Sequence, residues 1–501
     1  MNLDDTYETD VVVVGAGNAA LCAALAARER GARVLVLERA LEKERGGNSA
    51  FTAGGFRVVY ENLDDLKTLM PELSKQEMEK HDFGSYTAEE FFQDMAEITQ
   101  YRCDPDLVEV LVSRSLDTML WIRSKGVRFM PMYHRQAFKV DGGGFRFWGG
   151  LTIEANGGGP GLVDSLFTAA EKEGVDVAYE TRAMGLIHDP RKGATGVRVL
   201  HDKRDLAIPA KAVVLASGGF EANAEWRARY LGPGWDLAKV RGTRHNTGDG
   251  IRMALDIGAE PFGHWSGSHS VAWDQNAPPY GDLAVGDGFQ KHSYPFGLMV
   301  NVNGERFADE GEDFRNYTYA KYGQEILRQP AQVTWQIFDQ KVVHLLRDEY
   351  RIREVSRVRA DTLEELADKI EGMNREGFLT TVHEFNDAVR TDIPFDPTVK
   401  DGRRTEGLAV DKTNWANPLD TPPYEAYAVT CGITFTFGGL HITTGAEVLD
   451  TEGVVIPGLF AAGELIGGLF YFNYPGGTGL TSGSVFGRIA GTHAAEYVTS
   501  R

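Results

Sequence analysis

Cysteine is nearly missing from this chain: Cys22, Cys103 and Cys431 are the three in 501 residues, far apart and odd in number. Neither a disulfide framework nor a zinc spacing can be built from them, so a reducing cytoplasm is the expected compartment. Positive charge is also scarce, with 52 Lys+Arg against 72 Asp+Glu and a formal net charge of −20. Such a balance excludes nucleic acid as a natural partner and gives no electrostatic grip on anionic lipid. It does not exclude a small anion held in a local basic pocket. No apolar run reaches about 18 residues, so no membrane span is expected. The opening MNLDDTYETD is acidic and polar, unlike a basic leader with an apolar core. Internal repeats and low-complexity tracts are also lacking, and a globular chain long enough for two or more domains remains.

Glycine, with 58 residues, is abundant and placed in patterns. Val11–Val14 reads as a buried strand, followed by Gly15-Ala16-Gly17-Asn18-Ala19-Ala20 and a helix of small residues, LCAALAARERG. Val34–Leu37 is the next strand and ends at Glu38. In a β–α–β unit the glycines let the backbone approach a pyrophosphate at the helix N-terminus, and the terminal acid accepts from a ribose diol. A 2′-phosphate would be repelled by Glu38. Further glycine clusters fall at residues 46–55, at Ala216-Ser217-Gly218-Gly219 after a strand at Ala212–Leu215, and at Thr247-Gly248-Asp249-Gly250 before a helix. The last is Gly458–Gly491, a strand, a broken loop and a helix start with Glu464 at the strand's end. A second GxGxxG unit is absent, which argues against a separate NAD(P)H domain.

The character changes near Pro261. Aromatics and histidines in FGHWSGSHSVAW read as loops, and LMVNVNGERFADE reads as a hairpin. Thr362 with Glu365 makes a capping box, and Phe378, Val382, Phe385 and Val389 repeat at helical spacing. Prolines mark 391–424 as loop. The expected organisation is a first domain over 1–265, an inserted α+β domain over 266–435, and a return to the first domain over 436–501.

Together GAGNAA, LER, GGNSAFTAGG, LASGGF, NTGDGIRMA, NGERFADE and IPGLFAAGE resemble the flavoproteins of the fumarate reductase/succinate dehydrogenase family. Within it, DEGEDFRNYTYAKYG and FNYPGGTGLTSGSVFGRIAG are most similar to the tricarballylate dehydrogenase group. The resemblance implies an α/β fold, with a Rossmann-like FAD-binding domain of the glutathione-reductase type interrupted by a capping (clamp) domain. It places Gly15, Ala16, Gly17, Asn18, Ala19 and Ala20 at the pyrophosphate, and Glu38 with Arg39 at the adenosine ribose. Asn48, Ser49, Gly54 and Gly55 follow on the phosphate-to-ring side, with Ala183, Ala216, Ser217, Gly218 and Asp249 around adenosine and phosphates. Gly463 and Glu464 belong to the ribityl chain, and Gly479, Leu480 and Thr481 to the ring, where a positive helix end favours negative charge. Asn48 stands where the membrane-complex branch attaches FAD through histidine, so the FAD is expected to be non-covalent. Phe435 and Tyr474 stand where fumarate-specific members hold carboxylate with histidine and arginine, which argues against plain succinate or fumarate.

The implied reaction is desaturation or reduction of a C–C bond beside a carboxylate or carbonyl, with hydride passing to FAD and tricarballylate to cis-aconitate as first choice. The alternatives are a ketosteroid-dehydrogenase-like desaturation of a cyclic ketone or keto acid, and a flavin-binding electron-transfer subunit active only with a partner. Arg315 leads as proton donor or acceptor, against the alternative of a surface ion pair with Glu310, Glu312 or Asp313. Tyr317 and Tyr319 are further bases. Tyr474 with the N–H groups of Gly476, Gly477 and Thr478 offers an oxyanion-type site, against simple packing beside the cofactor. His269, Trp265 and Phe435 complete the substrate side. Electrons are expected to leave to a quinone or an electron-transfer protein.

Overall fold

In the computed structural model, which describes Leu3, residues 7–140 and residues 142–500, the glycine-punctuated segments converge on one sheet. At its centre Thr9–Val14 pairs in parallel with Val34–Leu37 on one side and Arg204–Leu215 on the other. Asp176–Ala178 and Val455–Ala461 extend it in parallel beyond these neighbours. Val11–Val14 is buried throughout, which is why it reads as unbroken valine instead of alternating. An antiparallel arm, Thr181–Asp189 with Gly193–His201, continues from Arg204–Leu215.

Helices Asn18–Glu29 and Thr478–Thr499 cross through the smallest side chains in the molecule. A Cβ on Gly487 would lie 2.4 Å from the Ala19 carbonyl oxygen, and one on Gly491 2.0 Å from that of Ala23. Only hydrogen fits at either position. The Asn18 amide then donates to the Leu480 carbonyl at 2.9 Å and to Ser484 Oγ at 3.0 Å. The first turn after the N-terminal glycine motif is thereby tied to the first turn of the last helix.

A second sheet is built on Tyr424–Leu440, which pairs with Pro261–Asp274, Thr334–Phe338 and Arg357–Ala360 in antiparallel and with Lys239–Val240 in parallel. The segment FGHWSGSHSVAW is therefore strand, not loop. Its side chains resist an alternating pattern because the ladder shifts register between His264/Phe437 and Ser268/Thr436. The position 265/266 falls within that irregularity, whereas Phe435 and Thr436 pair in register with His269 and Ser268. Leu298–Asn301 pairs mainly with Thr334–Phe338, and a single bridge, Val300 to Arg306, is what remains of the expected hairpin. Thr362 accepts from the Glu365 N–H as expected, but Glu365 reaches back to the Asp361 N–H, so the box is half formed. Among the described residues no helix is long and apolar enough to cross a membrane.

Gly491→Ala should destabilise the protein by about 1–3 kcal/mol despite better helix propensity, because the Ala23 carbonyl cannot move aside cheaply. Thermal unfolding with and without added cofactor checks this; an unchanged melting temperature would show that the helices can part.

Candidate functional site

A cavity with about 1870 Å3 of empty space, its open mouth included, runs along the C-terminal ends of the parallel strands and on under the second sheet. At its outer end Gly15 (φ 105°) brings the first turn so close to the third strand that a Cβ would lie 2.4 Å from the Ala216 carbonyl oxygen. Asn18 N–H is held by Ser49 Oγ at 3.0 Å. The Glu38 carboxylate accepts from Ala40 N–H at 2.7 Å, and burial raises its pKa above the usual carboxylate range. Burial alone would raise Asp249 too, but a two-bond fork from Arg182, at 2.9 and 3.0 Å, brings it below that range. Arg39 adds a third bond to Asp249 at 3.1 Å. Ser217 Oγ is buried in the wall without a protein partner. These features fit a dinucleotide: bare backbone for phosphate, an acid for the ribose and a hydroxyl left over.

The expected cofactor residues line this cavity with three exceptions. Ala20 is fully buried inside the helix packing. Gly54 faces Gly158, whose carbonyl carbon would lie 2.7 Å from an added Cβ. Thr481 spends its hydroxyl on the Arg57 carbonyl at 2.8 Å. Asn48 lines the wall but is committed on both sides of its amide: it donates to Glu221 and to the Thr434 carbonyl, each at 2.7 Å, and accepts from Thr243 N–H at 2.9 Å. Glu464 accepts from Thr436 N–H at 2.9 Å.

The inner end joins an aromatic wall to a cluster of cations. Tyr474 is buried between His269, Phe435 and Phe470, with ring centroids 4.8, 5.1 and 5.2 Å away. Its hydroxyl accepts from Gly479 N–H, at the start of the last helix, at 3.1 Å. Burial raises its pKa, with that N–H acting against the rise. The N–H groups of Gly476 and Thr478 donate to the carbonyls of Asn316 and Pro475, so of the expected trio only Gly477 still faces the Tyr474 hydroxyl. Thr478 itself is buried outside the cavity lining, and the half-buried Trp265 also lies outside it, stacked on Phe220 at 5.8 Å.

Arg315 opens the helix Arg315–Leu327 and is buried, not on a surface loop. Its expected surface partners are engaged elsewhere: Glu310 with Arg306, Glu312 with Lys321 and Asp313 with Lys400. Arg315 instead donates to the Arg135 carbonyl through Nε at 3.2 Å and reaches His292 Nδ1 through Nη1 at 3.3 Å. Burial, then the neighbouring Arg135, lowers its pKa against the pull of Glu349. Tyr319 lies one helical turn on and shares the cavity face. Tyr317 points away, donating to Asp94 at 2.7 Å beside Arg57.

Four guanidiniums meet here. Arg241 forks onto Asp287 at 2.7 and 3.0 Å, Arg135 adds 2.7 Å to the same carboxylate, and Arg347 stands behind, pushed down to about 9 by burial and Arg315. Asp287 and Glu349 are the buried carboxylates against them, so positive charge is in excess. Burial, reinforced by Arg241, drives His269 well below the usual imidazole value, and burial with Arg315 does the same to His292; both are neutral. Gln136 lines the cavity with neither amide atom partnered. Arg135, Gln136, Arg241, Asp287, His292 and Glu221 carry no motif, and nothing local in the sequence marks them.

A parallel sheet with glycine turns at its C-terminal edge and an acid closing the second strand defines a dinucleotide-binding α/β protein. The chain belongs to the FAD binding domain family, whose profile matches residues 10–480. It is 31% identical over 503 residues to a probable fumarate reductase of Shewanella frigidimarina, covering 98% of this chain and 76% of that protein. A 4-oxocyclohexanecarboxylate 2-dehydrogenase of Sinomonas cyclohexanicum is 30% identical, with 97% and 94% covered. The open conformation of a flavocytochrome c3 fumarate reductase matches with a TM-score of 0.72 at 29% identity, covering 98% of this chain and 79% of that one. The protein is thus an FAD-dependent oxidoreductase of the fumarate reductase/succinate dehydrogenase flavoprotein type.

Asp287→Asn should cost about 3–5 kcal/mol, since it strips the buried carboxylate shared by the buried Arg241 and the half-buried Arg135. Denaturant unfolding checks this, and added carboxylate anions should restore more stability to the variant than to the wild type. A variant as stable as wild type would mean that water already screens these charges.

Proposed function

We propose that the protein desaturates or reduces a carbon–carbon bond beside a carboxylate, with tricarballylate to cis-aconitate as the first reaction to test. The gathering of four guanidiniums at the inner end of the cavity, Arg241 and Arg315 buried and Arg135 and Arg347 half-buried, against the carboxylates of Asp287 and Glu349 carries this reading, because such a cluster is stabilised by a further carboxylate. When bound, FAD supplies the hydride acceptor or donor. Arg315 holds or moves the proton at the α-carbon; its lowered pKa and its fixed Nε favour that role over a passive ion pair. Arg135 and Arg241 hold the carboxylate, and the aromatic wall of Phe435, Phe470 and Tyr474 excludes water.

A second reading rests on the Tyr474 hydroxyl and the Gly479 N–H, which together would polarise a ketone. The 4-oxocyclohexanecarboxylate dehydrogenase relative is named for a molecule that carries both groups. The third reading, an electron-transfer subunit that needs a partner, is supported by the single nucleotide fingerprint, which also favours a quinone or an electron-transfer protein as acceptor in the cytoplasm. Asn48, with no nucleophilic atom and its amide fully bonded, supports non-covalent FAD. The division into residues 1–265 and 436–501 around the cofactor and 266–435 as a cap is supported by the irregular strand ladder at the first boundary, while at the second the strand Tyr424–Leu440 runs through in register.

Acid precipitation should release all the FAD. Under anaerobic conditions tricarballylate should bleach the flavin; bleaching by cyclic ketones alone would reject the carboxylate reading, and bleaching by no candidate would favour the partner-dependent one. Arg315→Ala should retain FAD and lose at least about a hundredfold in kcat. Near-normal turnover would remove Arg315 from the chemistry.

A further inference from the structure

Glu221 lies just beyond the Ala216–Phe220 turn, fully buried and outside the cavity lining, yet three of the side chains that form the lining depend on it. Its Oε1 accepts from the amides of Asn48 and Asn246, each at 2.7 Å. The Asn246 amide also reaches Glu464 Oε2 at 3.4 Å. Its other oxygen, Oε2, is buried with no donor in the protein, and the carboxyl of Glu464 is within hydrogen-bonding reach of the Glu221 side chain. No ion pair reaches either carboxyl among the described residues. Arg227, which touches the Glu221 main chain, spends its guanidinium on the main-chain carbonyls of Glu221, Trp235, Asp236 and Ala238. Two carboxylates in such a place repel each other strongly, and a single proton between them turns the repulsion into a hydrogen bond.

We propose that Glu221 is a positioning residue of the cofactor site: by sharing one proton with Glu464 it fixes the Glu464, Asn48 and Asn246 side chains against the cavity, and FAD retention depends on that proton. Burial and then the Glu464 charge hold Glu221 well above the ordinary carboxylate range, and burial raises Glu464 as well. A carboxyl with a raised folded-state pKa binds its proton more tightly in the folded protein. Its contribution is complete at acidic pH and is lost as pH rises through the folded value. The apoprotein should accordingly lose stability toward alkaline pH, and on the proposal FAD loosens with it because Glu464, Asn48 and Asn246 are no longer held in place.

The test is the Kd for FAD from about pH 6 to about pH 9 for three proteins, with apoprotein unfolding read alongside. For wild type the Kd should rise about tenfold or more over this range. Glu221→Gln, whose amide donates to Glu464 without a titrating proton, should match wild type at the acid end and stay within about threefold throughout. Glu221→Ala should bind FAD at least about tenfold more weakly at every pH. A Gln variant that follows the wild-type curve, a wild-type Kd that does not move with pH, or an Ala variant that binds like wild type would each overturn the proposal. If the Ala variant does not fold, the Gln and wild-type curves decide alone. None of these outcomes depends on the substrate.

Discussion

The contact between Gly487 and Gly491 on the last helix and the Ala19 and Ala23 carbonyls on the first sets the geometry on which the cavity depends. Asn18 and Leu480 are 462 positions apart, and they hydrogen-bond because the two backbones approach without side chains between them. This closeness places the glycine turn of the first strand and the N-terminus of the last helix on one cavity. A dinucleotide can then lie across both, its phosphates at one helix start and its ring at another. The small residues of LCAALAARERG and the glycine spacing of the C-terminal helix are two halves of one packing solution.

Electrostatics divides that cavity into regions. At the outer end Asp249 is shared by Arg182 and Arg39, with Glu38 also acting on Arg39. At the inner end the guanidiniums outnumber their carboxylates. Cations drawn together and partly desolvated in this way are costly unless anions offset them. The surface is acidic, whereas the inner pocket gathers guanidiniums beside neutral histidines and aromatic rings.

Legibility in the sequence followed how local the cause was. The Gly15 turn, the unbroken valines and the acid at Glu38 are each set by neighbours a few residues away, so strand, turn, helix and cofactor class could be read directly. FGHWSGSHSVAW was misread because its strand character comes from pairing with Tyr424–Leu440 across a register shift, which no local pattern reports. Arg315 and Tyr319 share a helix face while Tyr317 turns to Asp94, a distinction that required knowing that a helix begins at Arg315. Glu221, Arg241 and Asp287 are ordinary charged residues in sequence, and only tertiary packing brings Arg241 to Asp287 and Glu221 to Asn48 and Asn246.

The central claim is that one cavity holds FAD along the first sheet and presents a carboxylate to the guanidinium cluster beyond it. A crystal structure of the FAD-loaded protein with a bound dicarboxylate inhibitor tests it most directly. The account predicts the cofactor extended from Glu38 to Gly479, and a carboxylate within hydrogen-bond distance of at least two of Arg135, Arg241 and Arg315. An inhibitor bound through Tyr474 and Gly479 alone, with the arginines contacting only protein, would contradict it.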